Sequence, residues 1–357
     1  MKAGSIIHDS GKRELSERER AILNKIVQLY ILKASPIGSR FLSKVIQEEM
    51  NLSAATLRNV MSDLEELDYI SHPHTSAGRI PTDKGYRFYV NSISSPEQLG
   101  PGELTKIKKA LRAAEREALL KDASRLLGAV SRCLGVVRAP QLNEAIIRKI
   151  EIVPLSSDKL LIILALDSDI IRSVTLETGF DTREGDIEQL KSYVNEKISG
   201  RPLKFLKANF PDIMTGYSHR EAPLVRLFAD SLGKLFEFTY SPERVILAGA
   251  QDLVSNPEFE DINRIRGVIE LVENEDVIVH MLDQIEEREA QGVQIFIGRE
   301  MENSLLDDYS LITTSYKIGG AAGSIGVIGP KRMNYPKMIS VVKLVADFLS
   351  KNENSKG

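Results

Sequence analysis

The sequence predicts an α+β protein of several domains. Its 357 residues exceed what one ordinary hydrophobic core accommodates, so two or three domains are expected. The N-terminal part, 15–90, contains short amphipathic helix patterns separated by turn residues. The C-terminal part changes from strands to a largely helical block and back to strands, which predicts an α/β domain interrupted by an insertion.

The first three helix patterns have the arrangement of a helix-turn-helix. Ser16 and Glu19 form a capping box, in which a hydroxyl and a carboxylate each satisfy a free amide where a helix begins. A second helix is expected over about 39–49, and a third over about 54–67 with Ser53 as its N-cap. Two short helices joined by a tight turn, the second opened by small and polar residues, are typical of this motif.

A small hairpin, or wing, is expected after the third helix. Residues 69–72 and 79–81 are short extended segments on either side of a loop. Thr82 is placed to cap a helix over about 83–92. The N-terminal part is therefore predicted to be a winged helix-turn-helix domain, followed by a Ser-, Pro- and Gly-rich linker at 92–102.

The chain beyond the linker predicts the interrupted α/β domain. Amphipathic periodicity predicts helices at about 103–134, with or without a break, and at about 186–198, 223–236, 258–287 and 336–350. Strand patterns lie at about 145–154, 159–166, 170–177, 244–249, 293–298, 311–318 and 324–328. Four segments follow: a winged-helix domain at 1–95, a linker with a long helix and the first part of the α/β domain at 96–180, a largely helical inserted domain at 181–290, and the second part of the α/β domain at 291–350.

Composition and cysteine usage indicate a soluble, cytoplasmic protein. Hydrophobic residues make up 42% of the chain and charged residues 27%. No apolar run approaches the roughly 18–20 residues that a membrane span needs, and the N-terminus has no long apolar stretch typical of a secretion signal. The single cysteine, Cys133, excludes an internal disulfide framework and fits a reducing compartment.

DNA is the predicted partner of the helix-turn-helix. The net charge of the chain is −3, so cations must be concentrated on one surface if the protein is to bind nucleic acid. Arg pairs with guanine, Asn with adenine, and Ser or Thr with base edges or phosphates, while small residues let a helix enter the major groove. The predicted DNA-binding residues lie on the second and third helices, in the wing and just beyond it: Ser39, Arg40, Lys44, Ala55, Thr56, Arg58, Asn59, Ser62, His74, Thr75, Ser76, Arg79, Lys84 and Arg87.

These features also have plainer interpretations. Arg58 and Asn59 would then form a solvated helix face, and 74–79 would be an ordinary hairpin loop. Tyr86, Phe88 and Tyr89 are suited to stacking on bases. The three-residue spacing of the two tyrosines nevertheless favours packing of the last N-terminal helix onto the core.

The sequence favours no catalytic or metal site. The glycine-rich stretch 319–326 lacks the lysine of a phosphate-binding loop and lies between two strands, so it is predicted to be a hairpin turn. His72 and His74 have no nearby cysteine or cluster of carboxylates, whereas zinc takes three or four ligands. We therefore predict a protein that is not an enzyme and that carries no cofactor or metal.

Four segments resemble the HrcA family of bacterial heat-inducible transcription repressors. Three lie in the N-terminal part: PIGSR at 36–40, LSAATLRNVMSDLEEL at 52–67 and PHTSAGRIPTDKGYRFYV at 73–90. The fourth, GSIGVIGPKRMNY, lies at 323–335. The similarity runs over nearly the whole chain and is weakest over about 180–290, where it is mainly one of layout.

This resemblance implies a homodimeric repressor in which a winged helix precedes a GAF-like domain interrupted by a dimerising insertion. It implies binding to an inverted-repeat operator upstream of chaperone operons, in association with the nucleoid. It further implies that the chaperonin GroEL maintains the activity, so that heat stress relieves repression. An alternative remains open, in which the GAF-like domain binds a small-molecule effector and the winged helix responds to it.

Overall fold

The structure is a computed structural model. It describes residues 13–73, 78–114, 118–141, 145–167, 171–180, 183–217, 223–228, 245–255, 262–287, 292–318 and 321–351. The chain divides into two compact units. Unit 1 comprises Met1–Val137, Val245–Thr314 and Ile325–Ala346, and unit 2 comprises Arg138–Arg244, Ser315–Ser324 and Asp347–Gly357.

The N-terminal part of unit 1 is a winged helix, as the sequence predicts. Its helices are α1 (Glu17–Lys33), α2 (Ser39–Val45), α3 (Gln47–Met50), α4 (Ala54–Glu66) and α5 (Asp83–Ser92). Strands β1 (Ile70–Ser71) and β2 (Ile80–Pro81) pair antiparallel at the base of the wing. The predicted capping box at Ser16 and Glu19 and the predicted caps at Ser53 and Thr82 are all present.

The predicted second helix is two helices rather than one. The backbone of Ile46 leaves helical geometry, with φ of −99° and ψ of 10°, and separates α2 from α3. Its side chain is buried, as is that of Leu42 on α2. The break therefore lies where an apolar residue enters the core, which a helical repeat alone does not reveal.

The remainder of unit 1 is a mixed α/β arrangement. Its helices are α6 (Pro101–Ala113), α7 (Leu119–Ser131), α10 (Ala250–Val254), α11 (Ile262–Glu273), α12 (Glu275–Glu287) and α13 (Tyr335–Lys351). Its sheet has the strand order β7-β3-β10-β9-β8. These strands are β3 (Leu134–Gln141), β7 (Val245–Ala248), β8 (Gln294–Ile297), β9 (Tyr309–Ile318) and β10 (Ala321–Pro330), and the outer ends of β3, β9 and β10 are counted with unit 2.

Both predicted long helices are divided. A break, which the sequence allows in the helix predicted over 103–134, separates α6 from α7, and Arg132 ends α7 in the left-handed region with φ of +53°. Residues from Leu134 onward form strand β3, which lies between β7 and β10 and was not predicted from the sequence. The helix predicted over 258–287 is divided at Asn274 between α11 and α12.

Unit 2 is an antiparallel sheet packed against helices. Strands β4 (Ile147–Ser156), β5 (Lys159–Leu166) and β6 (Ile171–Glu177) pair in the order β4-β5-β6. The inward residues of β5 alternate along the strand and share a core with α8 (Glu184–Ile198) and α9 (Leu203–Thr215). The stripe predicted on α8 is buried in that core: Ile187, Leu190, Val194 and Ile198.

The segments proposed from the sequence and the two units have different bounds. Helices α8 and α9 belong to unit 2, whereas α11 and α12 belong to unit 1, so the proposed insertion at 181–290 takes residues from both units. Residues 321–326 of the glycine-rich stretch belong to strand β10, the neighbour of β9 in the sheet, and the rest of the predicted hairpin turn, 319–320, lies outside the described residues. Within the described ranges, no helix has the length and apolar character needed to cross a membrane.

Candidate nucleic-acid interface

Helix α4 presents a polar face to solvent and an apolar face to the core. Its apolar side chains are buried: Leu57, Val60, Met61 and Leu64. The opposite face is exposed and carries four of the predicted residues: Ala55, Arg58, Asn59 and Ser62. Because the helical repeat separates the two sets, burial of one face orients the other outward.

The N-cap defines where this face begins. The Ser53 hydroxyl accepts a hydrogen bond from the backbone N–H of Thr56 at 3.1 Å, and the two hydroxyls lie 2.8 Å apart. Thr56 is half-buried and contributes to the cap. The cap satisfies an amide that the first turn would otherwise leave free and holds the small residue Ala55 at the exposed start of the helix.

Helix α2 places two further cations in solvent. Arg40 and Lys44 are exposed, whereas Ser39 is half-buried at the start of the helix. Among the residues that the structure describes, Arg40, Lys44 and Arg58 make no ion pair and no side-chain hydrogen bond. Their charges are therefore not neutralised by described neighbours, which is what a phosphate-binding surface requires.

The base of the wing is tied to the helices through Arg79. Its backbone exchanges hydrogen bonds with Ile37 at 2.8 and 2.9 Å, and its guanidinium pairs with Glu65 of α4 at 2.6 Å. Glu65 also accepts from His72, so one carboxylate joins α4 to both ends of the wing. Gly78 fits against the backbone of Ile37, because a Cβ there would lie 2.5 Å from the Ile37 carbonyl carbon. The wing residues His74, Thr75 and Ser76 lie outside the described residues.

The two cations predicted beyond the wing have partners inside the molecule. Lys84 Nζ donates to the carbonyl oxygen of Leu67 at 2.6 Å and lies 4.2 Å from the ring centre of Tyr69. Arg87 pairs with Glu300 and donates to the carbonyl oxygen of Ile295 at 2.6 Å. Lys84 thus donates a hydrogen bond to a carbonyl oxygen at the C-terminal end of α4, where a cation is favourable. Sequence reasoning missed these partners, as it missed Glu65.

Tyr86 and Tyr89 belong to the core, as their spacing favours. Both side chains are buried. Their ring centres lie 6.2 and 6.4 Å from that of Tyr335, which comes from the C-terminal part of unit 1. The Tyr335 hydroxyl is hydrogen-bonded to Ser310 Oγ at 2.9 Å and donates to the carbonyl oxygen of Lys331 at 2.8 Å. These aromatic rings therefore stabilise a contact within the protein.

The titratable groups with perturbed pKa values point to structural roles. Hydrogen bonds from the backbone and side chain of Ser16 lower the pKa of the Glu19 carboxyl below its usual range. Burial raises the pKa of the Cys133 thiol to about 12, so the reactive thiolate is suppressed near neutral pH. Among the described residues, no group of three or more His, Cys, Asp or Glu side chains is arranged to hold a metal ion.

Comparison with known proteins assigns both parts of the chain to one family. Residues 14–94 match the model described as "Winged helix-turn-helix transcription repressor, HrcA DNA-binding", and residues 117–339 match "HrcA protein C terminal domain". The chain belongs to the HrcA family. It is therefore a transcription repressor with an N-terminal winged-helix DNA-binding domain and a mixed α/β C-terminal part, and it is not an enzyme.

Individual relatives agree with this HrcA assignment. A heat-inducible transcription repressor HrcA from Chlorobium phaeobacteroides (strain BS1) is 34% identical over 347 residues, covering 94% of this chain and 98% of that protein. One from Brevibacillus brevis is 34% identical over 344 residues, covering 94% and 97%. A crystal structure described as that of a hypothetical protein is 25% identical with a TM-score of 0.57, covering 96% of this chain and all of that one.

Proposed function

We propose that this repressor binds an inverted-repeat operator in double-stranded DNA upstream of chaperone operons. The observation that carries the proposal is the exposed face of α4, where Arg58 and Asn59 project from a capped helix beside Arg40 and Lys44 of α2. In a helix-turn-helix, this face enters the major groove and the preceding helix contacts the backbone.

The roles within this surface follow from chemistry. Arg58 is suited to bidentate hydrogen bonds with a guanine and Asn59 to an adenine, so they read bases. Arg40 and Lys44 neutralise phosphates and set the register of the helix on the duplex. Ser39, Ala55, Thr56 and Ser62 complete the contact surface, and His74, Thr75 and Ser76 extend it from the wing. A mobility-shift titration of Arg58→Ala against operator and mutated operator tests this function.

Two ion pairs and one hydrogen bond in the structure refine the proposed surface. Arg79 is paired with Glu65, Lys84 with the carbonyl oxygen of Leu67, and Arg87 with Glu300. We assign Arg79 the role of holding the wing in position and Lys84 the role of capping the C-terminal end of α4. Arg87 is assigned to a contact with the C-terminal part of unit 1.

The repressor acts as a homodimer, because an inverted repeat presents two equivalent half-sites related by a two-fold axis. The outer face of the unit 2 sheet supports this part of the proposal. Cross-strand pairing aligns Val153, Leu161 and Thr175 there, and it places Ile163 between Glu151 and Ser173 in the next row. Ile171 is 66% exposed on this face and Val153 39%, so the face offers exposed apolar side chains among polar ones to a second copy of the chain.

Heat stress relieves the repression, and the chaperonin GroEL maintains the DNA-competent form. The physical support is the marginal stability of domains, which lets a modest rise in temperature populate a form that no longer binds DNA. A chaperonin that refolds this form couples repression to the amount of free chaperonin. The repressor acts in the cytoplasm, where it associates with the nucleoid when bound to its operator.

A further inference from the structure

Helix α5 is joined to the C-terminal part of unit 1 by two ion pairs. Asp83, in the first turn of α5, pairs with Lys331 at 2.7 Å. Arg87, one turn further along, pairs with Glu300. All four side chains are only about one-quarter to one-third exposed, so solvent screens these pairs less than it screens surface pairs. We call these four residues the α5 anchor.

Backbone groups complete the α5 anchor and give it a defined geometry. Asp83 Oδ2 accepts from the backbone N–H of Arg299 at 3.2 Å, and Arg87 donates to the carbonyl oxygen of Ile295. Gly298 has φ of +51°, and a Cβ on it would lie 2.3 Å from Asp83 Oδ2. Glycine at 298 therefore leaves the space that the carboxylate occupies, and it adopts the left-handed backbone conformation at little cost.

A second set of contacts limits rotation about the α5 anchor. Arg332 donates to the carbonyl oxygen of Ile31 at the end of α1, at 2.7 Å. The buried rings of Tyr86 and Tyr89 pack against Tyr335 beside it. The winged helix is therefore held to the C-terminal part of unit 1 through two of its helices, α1 and α5.

We propose that the α5 anchor determines which spacing of operator half-sites the repressor accepts. The proposal rests on the dimeric function proposed above. A dimer gains affinity from two half-sites only when both recognition helices reach their grooves at once, so the orientation of each winged helix becomes part of the specificity. Asp83, Arg87, Glu300 and Lys331 are then positioning residues that act on DNA through α4 without touching it.

The test uses a variant that removes both ion pairs without changing net charge. In Glu300→Gln/Lys331→Gln one negative and one positive charge are lost, so the general attraction to DNA is unaltered. Glutamine at 300 keeps an oxygen able to accept from the backbone N–H of Ile297, which Glu300 does at 2.9 Å. The matched control is Glu196→Gln/Lys197→Gln, which removes an exposed pair on α8, the helix that packs against the opposite face of the unit 2 sheet.

Binding of each full-length protein is measured to a single half-site, to the operator, and to operators with five or ten base pairs inserted between the half-sites. Five base pairs rotate one half-site by about half a turn of the duplex. The wild type and the control should lose at least about 30-fold in affinity on this insertion, because simultaneous engagement is lost. The anchor variant should lose clearly less, about tenfold or under, because the contacts of Arg332 and Tyr335 still hold the winged helix in part, while its affinity for a single half-site equals that of the wild type.

Two outcomes contradict different parts of the proposal. If the five-base-pair insertion lowers the affinity of the anchor variant as much as that of the wild type, the assigned role of the anchor is wrong. The proposed dimeric function is not affected by that result. A wild type that binds all spacings and the single half-site equally overturns the dimeric function, and the inference with it. If thermal unfolding shows the double variant to be unfolded at the binding temperature, the single substitution Glu300→Gln is subjected to the same comparison and the same criterion.

Discussion

At the scale of single residues, the candidate interface separates side chains that we propose to contact DNA from side chains that hold those residues in place. Arg58 and Arg40 are exposed and make no ion pair with described residues, whereas Arg79 and Arg87 are paired with carboxylates. The sequence predicts all four as cations of a DNA-binding domain. It does not show which of them are paired with a carboxylate, because a partner can be distant in the chain: Glu300 lies more than 200 positions from Arg87.

Glu65→Gln tests the positioning role at the base of the wing. The substitution removes the charge that pairs with Arg79 and His72, so the wing should loosen and operator affinity should fall several-fold for all sequences, about 0.5–1 kcal/mol. Base preference at positions read by Arg58 should not change. Glu66→Gln is the control, because it makes the same charge change at the next, exposed residue of α4. Equal affinities for the two variants would show that Glu65 holds nothing in place.

At the scale of elements, local signals predict the winged helix well. Caps at Ser16, Ser53 and Thr82 depend only on neighbouring residues and are all present. Strand β3 was missed for a physical reason. A central strand buried on both faces is a short continuous apolar run, and its periodicity does not distinguish it from the end of the preceding amphipathic helix.

The unit 2 sheet provides the test of the proposed dimer surface. Ile171→Glu places a charge on the exposed apolar face, so dimerisation should weaken at least about a hundredfold because the carboxylate would be buried without a partner. Analytical ultracentrifugation over a range of concentrations measures the change. Ile269→Glu, at a 51% exposed isoleucine on α11, is the matched control and should leave the dimer intact. A fully dimeric Ile171→Glu protein places the dimer surface elsewhere.

At the scale of the whole molecule, the protein combines a DNA-reading domain with a larger α/β part through contacts between distant segments. The α5 anchor joins residues more than 200 positions apart, and unit 1 is assembled from three separate stretches of chain. Sequence patterns predict the order of these elements but not their partners, because pairing across such distances depends on tertiary packing. The domain boundaries proposed from the sequence accordingly remain predictions.

Control by heat belongs to this scale, since it depends on the stability of the folded chain. The fraction of operator bound should fall as temperature rises towards the unfolding midpoint, and it should recover on cooling only in part. Addition of GroEL with its nucleotide should increase the recovered fraction. Fluorescence anisotropy of labelled operator through a heating and cooling cycle measures both. An identical recovery with and without GroEL would remove the chaperonin from the mechanism.

The most direct test of the central claim compares Arg58→Ala with Lys44→Ala in mobility-shift titrations over several salt concentrations. If α4 reads bases, Arg58→Ala should lose about 1–3 kcal/mol of discrimination between operator and mutated operator. Lys44→Ala should weaken binding to both DNAs equally and reduce the slope of log affinity against log salt by about 1. If Arg58→Ala instead retains the affinity and base preference of the wild type, α4 is not the reading element and the account is contradicted.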